Sequence, residues 1–78
     1  MSTNPGDRIV TLISTWLGGR LQTEELRRQI DEIGTADLAP GPAEAVEELR
    51  KELAQAENGE RGHLEMVARE TLEAVALG

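Results

Sequence analysis

Cysteine, phenylalanine and tyrosine are absent from this 78-residue sequence, and tryptophan and histidine occur once each. The absence of cysteine excludes a disulfide scaffold, a thiolate metal site and a cysteine nucleophile. A single large aromatic ring cannot form a platform on which successive nucleobases stack. The stability of the fold therefore has to come mainly from the packing of aliphatic side chains.

Positive charge is also scarce, because eight basic residues stand against fifteen acidic residues and give a net charge of −7. Nucleic acids are bound through positive charges that displace counterions from the phosphates. Anionic membrane surfaces likewise attract basic segments. We therefore expect neither direct nucleic-acid binding nor membrane binding.

Long apolar runs are missing as well. The longest apolar stretch, near Ile9–Leu17, is interrupted by threonine and serine and is far shorter than the ~20 residues of a membrane-spanning helix. The amino terminus opens without the basic start that is typical of a signal peptide. The sequence therefore predicts a cytoplasmic protein.

The apolar residues that remain make up 38% of the sequence, which is enough for one compact core. A chain of this length supports a single domain and buries roughly 60% of the surface that its unfolded form exposes. Such a small core provides only a few kcal/mol of net stability. We expect either close packing of helices or a core that is completed by dimerisation.

The pattern of apolar residues predicts an all-α fold, a compact bundle of four short helices that forms a single domain over residues 1–78. Short connections between the helices favour antiparallel neighbours. An alternative exists for Ile9–Thr15, which is rich in β-branched residues, but the sequence offers no second strand to pair with it. The predicted helices cover residues 5–18, 23–34, 42–58 and 62–77.

Helix-start and helix-stop residues flank the first two predicted helices. Asn4 is expected to cap the first helix, with Pro5 at the first helical position, where a missing N–H has no consequence. Thr23 is expected to cap the second helix, and Gly34 to end it.

The third predicted helix has the clearest buried face. Pro42 marks its start, and Val46, Leu49 and Leu53 follow the spacing of an apolar seam. We expect Leu49 and Leu53 to pack against the first and fourth helices.

Three glutamates of the third helix, Glu44, Glu48 and Glu52, repeat every four residues and therefore share one face. Residues 35–78 carry a net charge of −6, whereas residues 1–34 carry only −1. The face has two interpretations: a solvated surface that keeps the protein soluble, or a surface that engages a basic partner protein. Three arginines in the first half of the chain, Arg20, Arg27 and Arg28, are either solvent-exposed or contact these glutamates in a second copy, which would give a homodimer.

Trp16 and Leu17 also admit two interpretations. Trp16 is either the largest side chain of the core or, beside the glycines that follow Leu17, an exposed anchor for a partner. Tryptophan is enriched among residues that dominate binding energy. Both residues are therefore candidate partner-binding residues, together with Glu44, Glu48 and Glu52.

Candidate catalytic residues are few. Glu60 and His63 have the spacing of a metal-binding pair on a helix, but a di-iron bundle needs several further ligands and the chain has one histidine. No phosphate-binding glycine motif is present, and the numerous carboxylates lie on polar faces where nothing tunes their pKa. We expect no bound metal, no cofactor and no catalysis.

The sequence therefore predicts a small, acidic, non-catalytic module that binds another protein as an adaptor, accessory subunit or regulator. An alternative is an acidic inhibitor, such as an antitoxin, an immunity protein or a phage anti-defence protein, whose carboxylates block a basic nucleic-acid-binding site. A third and remote hypothesis is a small metal-binding enzyme that uses Glu60 and His63.

Overall fold

A computed structural model describes residues 4–55 and 61–77 and confirms the all-α bundle of four helices. No strand occurs in these two ranges, and Ile9–Thr15 lie inside the first helix. The helices have 13, 11, 16 and 17 residues and cover more than two-thirds of the chain. They are α1 (Pro5–Leu17), α2 (Thr23–Ile33), α3 (Pro40–Gln55) and α4 (Arg61–Leu77). None of these four helices is long and apolar enough to cross a bilayer.

The helices form a ring in which each packs on the next and α4 packs on α1. α1 and α4 are antiparallel, because Gly6 lies beside Val75 and Trp16 lies beside Arg61. α1 and α3 face each other across one diagonal of the ring, and α2 and α4 across the other. Residues on α3 and α4 therefore share a long external boundary.

The core is one cluster of apolar side chains that all four helices supply. Leu49 and Leu53 are both buried, as the seam of the third helix predicts. α3 packs on α4, as expected, and also on α2, and both leucines belong to the core cluster that includes the buried residues of α1. The periodicity of a helix shows which face is buried but not which helices cover it. The buried apolar residues are Ile9, Ile13, Trp16, Leu26, Ile30, Val46, Leu49, Leu53, Leu64, Val67 and Ala68.

The ends of α1 follow the local sequence closely. The Asn4 side-chain oxygen accepts a hydrogen bond of 2.8 Å from the Gly6 backbone N–H, which confirms the predicted cap. At the other end, the Arg20 N–H donates to the Thr15 carbonyl and the Gly19 N–H donates to the Trp16 carbonyl, both at 3.0 Å. This pair of bonds is a Schellman motif, and the φ of 80° at Gly19 is the left-handed conformation that the motif requires.

α3 begins two residues earlier than predicted. Pro40 is its first residue, and the Ala43 N–H donates to the Ala39 carbonyl at 2.8 Å. The first turn of a helix needs no N–H donors, so Pro40 and Pro42 are both accommodated there. The predicted end of this helix, at residue 58, lies outside the described residues.

Replacing Gly34 with alanine is expected to lower the free energy of unfolding by about 1–3 kcal/mol. Gly34 ends α2 with a φ of 70° and a ψ of −168°, a region that residues with a Cβ essentially do not populate. A Cβ at this position would have no other atom within 4 Å. The expected loss is therefore conformational strain and not a steric clash.

Gly62→Ala is the matched control for this prediction. Gly62 lies near the start of α4 without a positive φ, and a Cβ there would also have nothing within 4 Å. We expect this alanine to stabilise the protein by about 0.4–1 kcal/mol, because it restricts the unfolded chain. Thermal unfolding followed by circular dichroism compares the two variants, and equal shifts would contradict the strain at Gly34.

Candidate protein-docking surface on α3 and α4

Trp16 is a core residue and not an exposed anchor. Its relative exposure is 0%, and its indole N–H donates a hydrogen bond of 3.0 Å to the Thr23 hydroxyl. Thr23 is therefore the partner of Trp16, and the capping position of α2 belongs to Gln22, which provides no side-chain cap. Leu17 is half-buried and packs against the core. In this monomer, the prediction that Trp16 presents an exposed binding surface is wrong.

Arg61 covers the outer side of Trp16. Its guanidinium carbon lies 4.4 Å from the centre of the indole ring, and its Nη2 donates to the Trp16 carbonyl at 2.8 Å. A second bond of 2.8 Å joins Nε to Glu65. The arginine thus combines a cation–π contact with neutralisation of the negative end of α1. Because 45 positions separate the partners, no local sequence signal indicates this contact.

Glu44 and Glu48 lie exposed on the outer face of α3, as their spacing predicts. Neither forms an ion pair with any other described residue. Both border a shallow depression that also includes Glu47 and Lys51. Glu52 is different, because it is half-buried and its Oε2 lies 3.0 Å from Nε2 of His63 on α4. Of the three predicted glutamates, Glu44 and Glu48 thus lie on exposed surface, whereas Glu52 contacts α4.

A groove of about 350 Å³ lies at this boundary. Glu48 and Glu52 line it from α3, and Glu70 lines it from α4. Met66 and Val67 supply apolar surface to the same groove, and Met66 is 55% exposed although it is a large apolar side chain. The groove therefore combines an apolar strip with carboxylates from both helices.

Thr71 fixes the packing beneath the groove. Its buried hydroxyl lies 2.8 Å from the Val67 carbonyl in its own helix and 3.3 Å from the Ala45 carbonyl of α3. Among the described side chains, no buried nitrogen or oxygen is left without a hydrogen-bond partner. The buried polar groups at the groove thus have hydrogen-bond partners within the protein.

Arg28 of α2 and Arg50 of α3 are engaged in ion pairs. Arg28 bonds to Glu25 and also lies near Glu32; the hydrogen bond lowers the pKa of Glu25 and raises the pKa of Arg28. Arg50 donates to Asp31 of α2 at 2.8 Å and to Glu47, and the bond to Asp31 is the main cause of its raised pKa.

The basic patch expected from Arg20, Arg27 and Arg28 is accordingly reduced. Arg20 and Arg27 are exposed, whereas the charge of Arg28 is compensated within its own helix. The predicted contact of these arginines with the glutamates of a second copy stays a prediction.

Glu60 lies outside the described residues, so the structure does not test the predicted metal-binding pair of Glu60 and His63. His63 is exposed and instead contacts Glu52. Within residues 4–55 and 61–77, no three or more histidine, aspartate or glutamate side chains are grouped so that they could hold a metal ion.

No protein family, curated protein or solved structure matches this chain. The basis for proposing a function is therefore the surface of the protein itself. Among the described residues, the groove between α3 and α4 combines exposed apolar surface with carboxylates, and the carboxylates of α3 adjoin it. Sequence reasoning identified the glutamates of α3, but it did not identify Met66 or Glu70, because nothing local indicates that these residues of α4 lie beside them.

Proposed function

We propose that this protein is a non-catalytic interaction module that docks on another protein through an acidic docking surface, defined by Glu44, Glu48, Glu52 and Glu70. The observation that carries the proposal is that Glu48, Glu52 and Glu70 line one groove together with the exposed side chain of Met66, and that Glu44 lies one turn from Glu48 on the same face of α3. A solvated helix face needs no apolar centre, whereas binding sites commonly combine apolar contact area with a polar rim.

The placement of the charges also supports a binding role over a catalytic one. The pKa of a catalytic acid or base is usually shifted by burial or by a neighbouring charge. Glu44, Glu48 and Glu70 are exposed. Exposed charges of one sign act instead over a distance, by accelerating the encounter with a partner of opposite sign.

The same surface supports a second candidate function, an acidic inhibitor that occupies a basic nucleic-acid-binding site on its target. Glu44 and Glu48 are one helical turn apart, exposed and unpaired among the described residues. Residues one turn apart have Cβ atoms about 5–6 Å from each other, so the face presents a row of regularly spaced negative charges, as a nucleic-acid strand does. Competition with the target's nucleic acid distinguishes this inhibitor from an adaptor.

The test of the proposed function uses a protein captured from extracts of the cell that makes this chain, and measures how fast the two associate. The E44Q/E48Q/E52Q variant raises the net charge from −7 to −4. We expect its association at low salt to be on the order of tenfold slower, because the attractive field is reduced. The difference should fade near about 0.5 M salt, where charges are screened beyond a few Å.

The remote triple variant, E24Q/E32Q/D37N, is the matched control. Its three positions are exposed on α2 and in the connection that follows it, and it has the same net charge of −4. We expect it to slow association less than the substitutions on α3. If both variants bind the captured protein at the parent's rate at low salt, the acidic docking surface is not the binding site.

A further inference from the structure

We infer that the groove between α3 and α4 binds a basic amphipathic helix of the partner protein. An apolar side chain of that helix would contact Met66, and lysines or arginines beside it would contact the carboxylates on both sides of the groove. This inference rests on the proposed function and specifies the chemistry of the partner. Three features of the groove lead to it: its apolar strip, the distribution of its charges and the helical nature of its walls.

The apolar strip is centred on Met66. This side chain is 55% exposed, while the adjacent Val67 is 9% exposed and belongs to the core. Methionine is unbranched and polarizable, so it adapts to partner side chains of different shape and is frequent at surfaces that bind helices. The exposed Met66 thus provides apolar surface next to the core, which an apolar side chain of a partner can contact.

The charges come from both helices that form the groove. Glu48 and Glu52 belong to α3 and Glu70 belongs to α4. Among the described residues that line the groove, none is lysine or arginine. An occupant that matches this pattern carries apolar side chains for Met66 and Val67 and positive charges for the carboxylates of both helices. That arrangement is typical of a basic amphipathic helix.

The walls of the groove favour a helix over an extended strand. A strand that joins a protein needs unpaired backbone groups at a sheet edge, whereas the backbone groups of α3 and α4 are bonded within the helices. A helix satisfies its own backbone and presents side chains to a groove. α3 and α4 have 16 and 17 residues, so each is roughly 24–26 Å long. A partner helix of several turns can therefore lie along them.

His63 provides the only imidazole at the groove, where it contacts Glu52 at a distance of 3.0 Å. The contact engages one of the carboxylates on the α3 side. A lysine or arginine of the partner would compete with His63 for Glu52. Glu48 and Glu70 form no ion pair with another described residue, so they are available to the partner without such competition.

The test uses a fluorescein-labelled peptide of about 18 residues, which is five helical turns. Leucines form one stripe of the helix, lysines flank the stripe on both sides, and alanines fill the remaining face. Binding to the full chain is measured by fluorescence anisotropy. A peptide of the same composition in scrambled order keeps the charge but has no stripe, and we expect it to bind at least about tenfold more weakly.

Two variants of the protein test the apolar contact and the contribution of the carboxylates separately. Met66→Gln keeps the size of an exposed side chain but makes it polar, and we expect it to weaken binding of the striped peptide about tenfold. The groove triple variant, E48Q/E52Q/E70Q, should weaken binding more than the remote triple variant, although both have a net charge of −4. Circular dichroism confirms that each variant is folded before binding is measured.

Several results would overturn the inference. They are equal binding of the striped and scrambled peptides, equal binding by the two triple variants, unchanged binding by Met66→Gln, or no binding of either peptide. A parent protein that sediments as a dimer and becomes monomeric on Met66→Gln would identify the occupant as a second copy and would also overturn it. None of these results alters the association measured with the captured protein, so the two proposals can fail independently.

Discussion

Replacing Trp16 with alanine is expected to lower the free energy of unfolding by about 3–5 kcal/mol. The indole is fully buried at the end of α1, donates to Thr23 at the start of α2 and lies beneath Arg61 at the start of α4. Its removal leaves a cavity at a corner where three helices meet. In a domain with only a few kcal/mol of net stability, this change is large enough to unfold most of the population.

Trp16→Phe is the conservative companion of this variant. It keeps an aromatic ring in the core and in reach of Arg61, but removes the donor to Thr23, so we expect a smaller loss of about 1–2 kcal/mol. Both variants are followed by far-ultraviolet circular dichroism in urea, because Trp16 is the only tryptophan and both variants lose its fluorescence. A loss below about 1 kcal/mol for Trp16→Ala would contradict the burial of the indole.

The stability of Trp16→Ala would also show whether a loss of binding in this variant comes from unfolding. A tryptophan close to two glycines is an attractive interface anchor when only the sequence is known, and loss of binding on Trp16→Ala would then be taken as evidence for an interface. Because Trp16 is buried in the monomer, such a loss would report unfolding instead. Exposed positions such as Glu48 and Met66 test binding without removing part of the core.

Local sequence signals account for most of the helix boundaries. Asn4 bonds to the first turn of α1, and Gly34 ends α2 with a positive φ. These features depend on a few neighbouring residues, and the sequence therefore predicts them. The start of α3 was misplaced because two prolines, Pro40 and Pro42, are both compatible with a first helical turn. Thr23 was misassigned as a cap because its hydroxyl bonds to a side chain of another helix.

The candidate site likewise has one part that local spacing predicts and another part that depends on how the helices pack. Glu44 and Glu48 share one helix, so their common face follows from a spacing of four residues. The groove depends instead on how α3 and α4 pack, which brings Glu52 to His63 and places Glu70 in the same groove as Glu48. Periodicity shows that Met66 is off the buried face of α4, but not that carboxylates of α3 lie beside it.

Leu49→Ala is expected to lower the free energy of unfolding by about 2–5 kcal/mol. Leu49 is fully buried in the middle of α3, and α3 packs on α2 and α4. A cavity at this position reduces the contact of α3 with the rest of the core, and the rigid helix backbones close it only partly. The expected cost is the lost transfer free energy of the side chain plus a term for the part of the cavity that stays open.

Lys51→Ala on the same helix is the matched control for Leu49→Ala. Lys51 is exposed, so its replacement should change the stability by no more than about 0.5 kcal/mol. Urea unfolding monitored by the fluorescence of Trp16 compares both variants with the parent, since the indole lies in the core and is unchanged in either. A midpoint for Leu49→Ala that matches that of Lys51→Ala would mean that Leu49 does not belong to the core. In that case α3 would be rotated about its axis, and the groove that Glu48, Glu52 and Glu70 form with α4 would not exist as described.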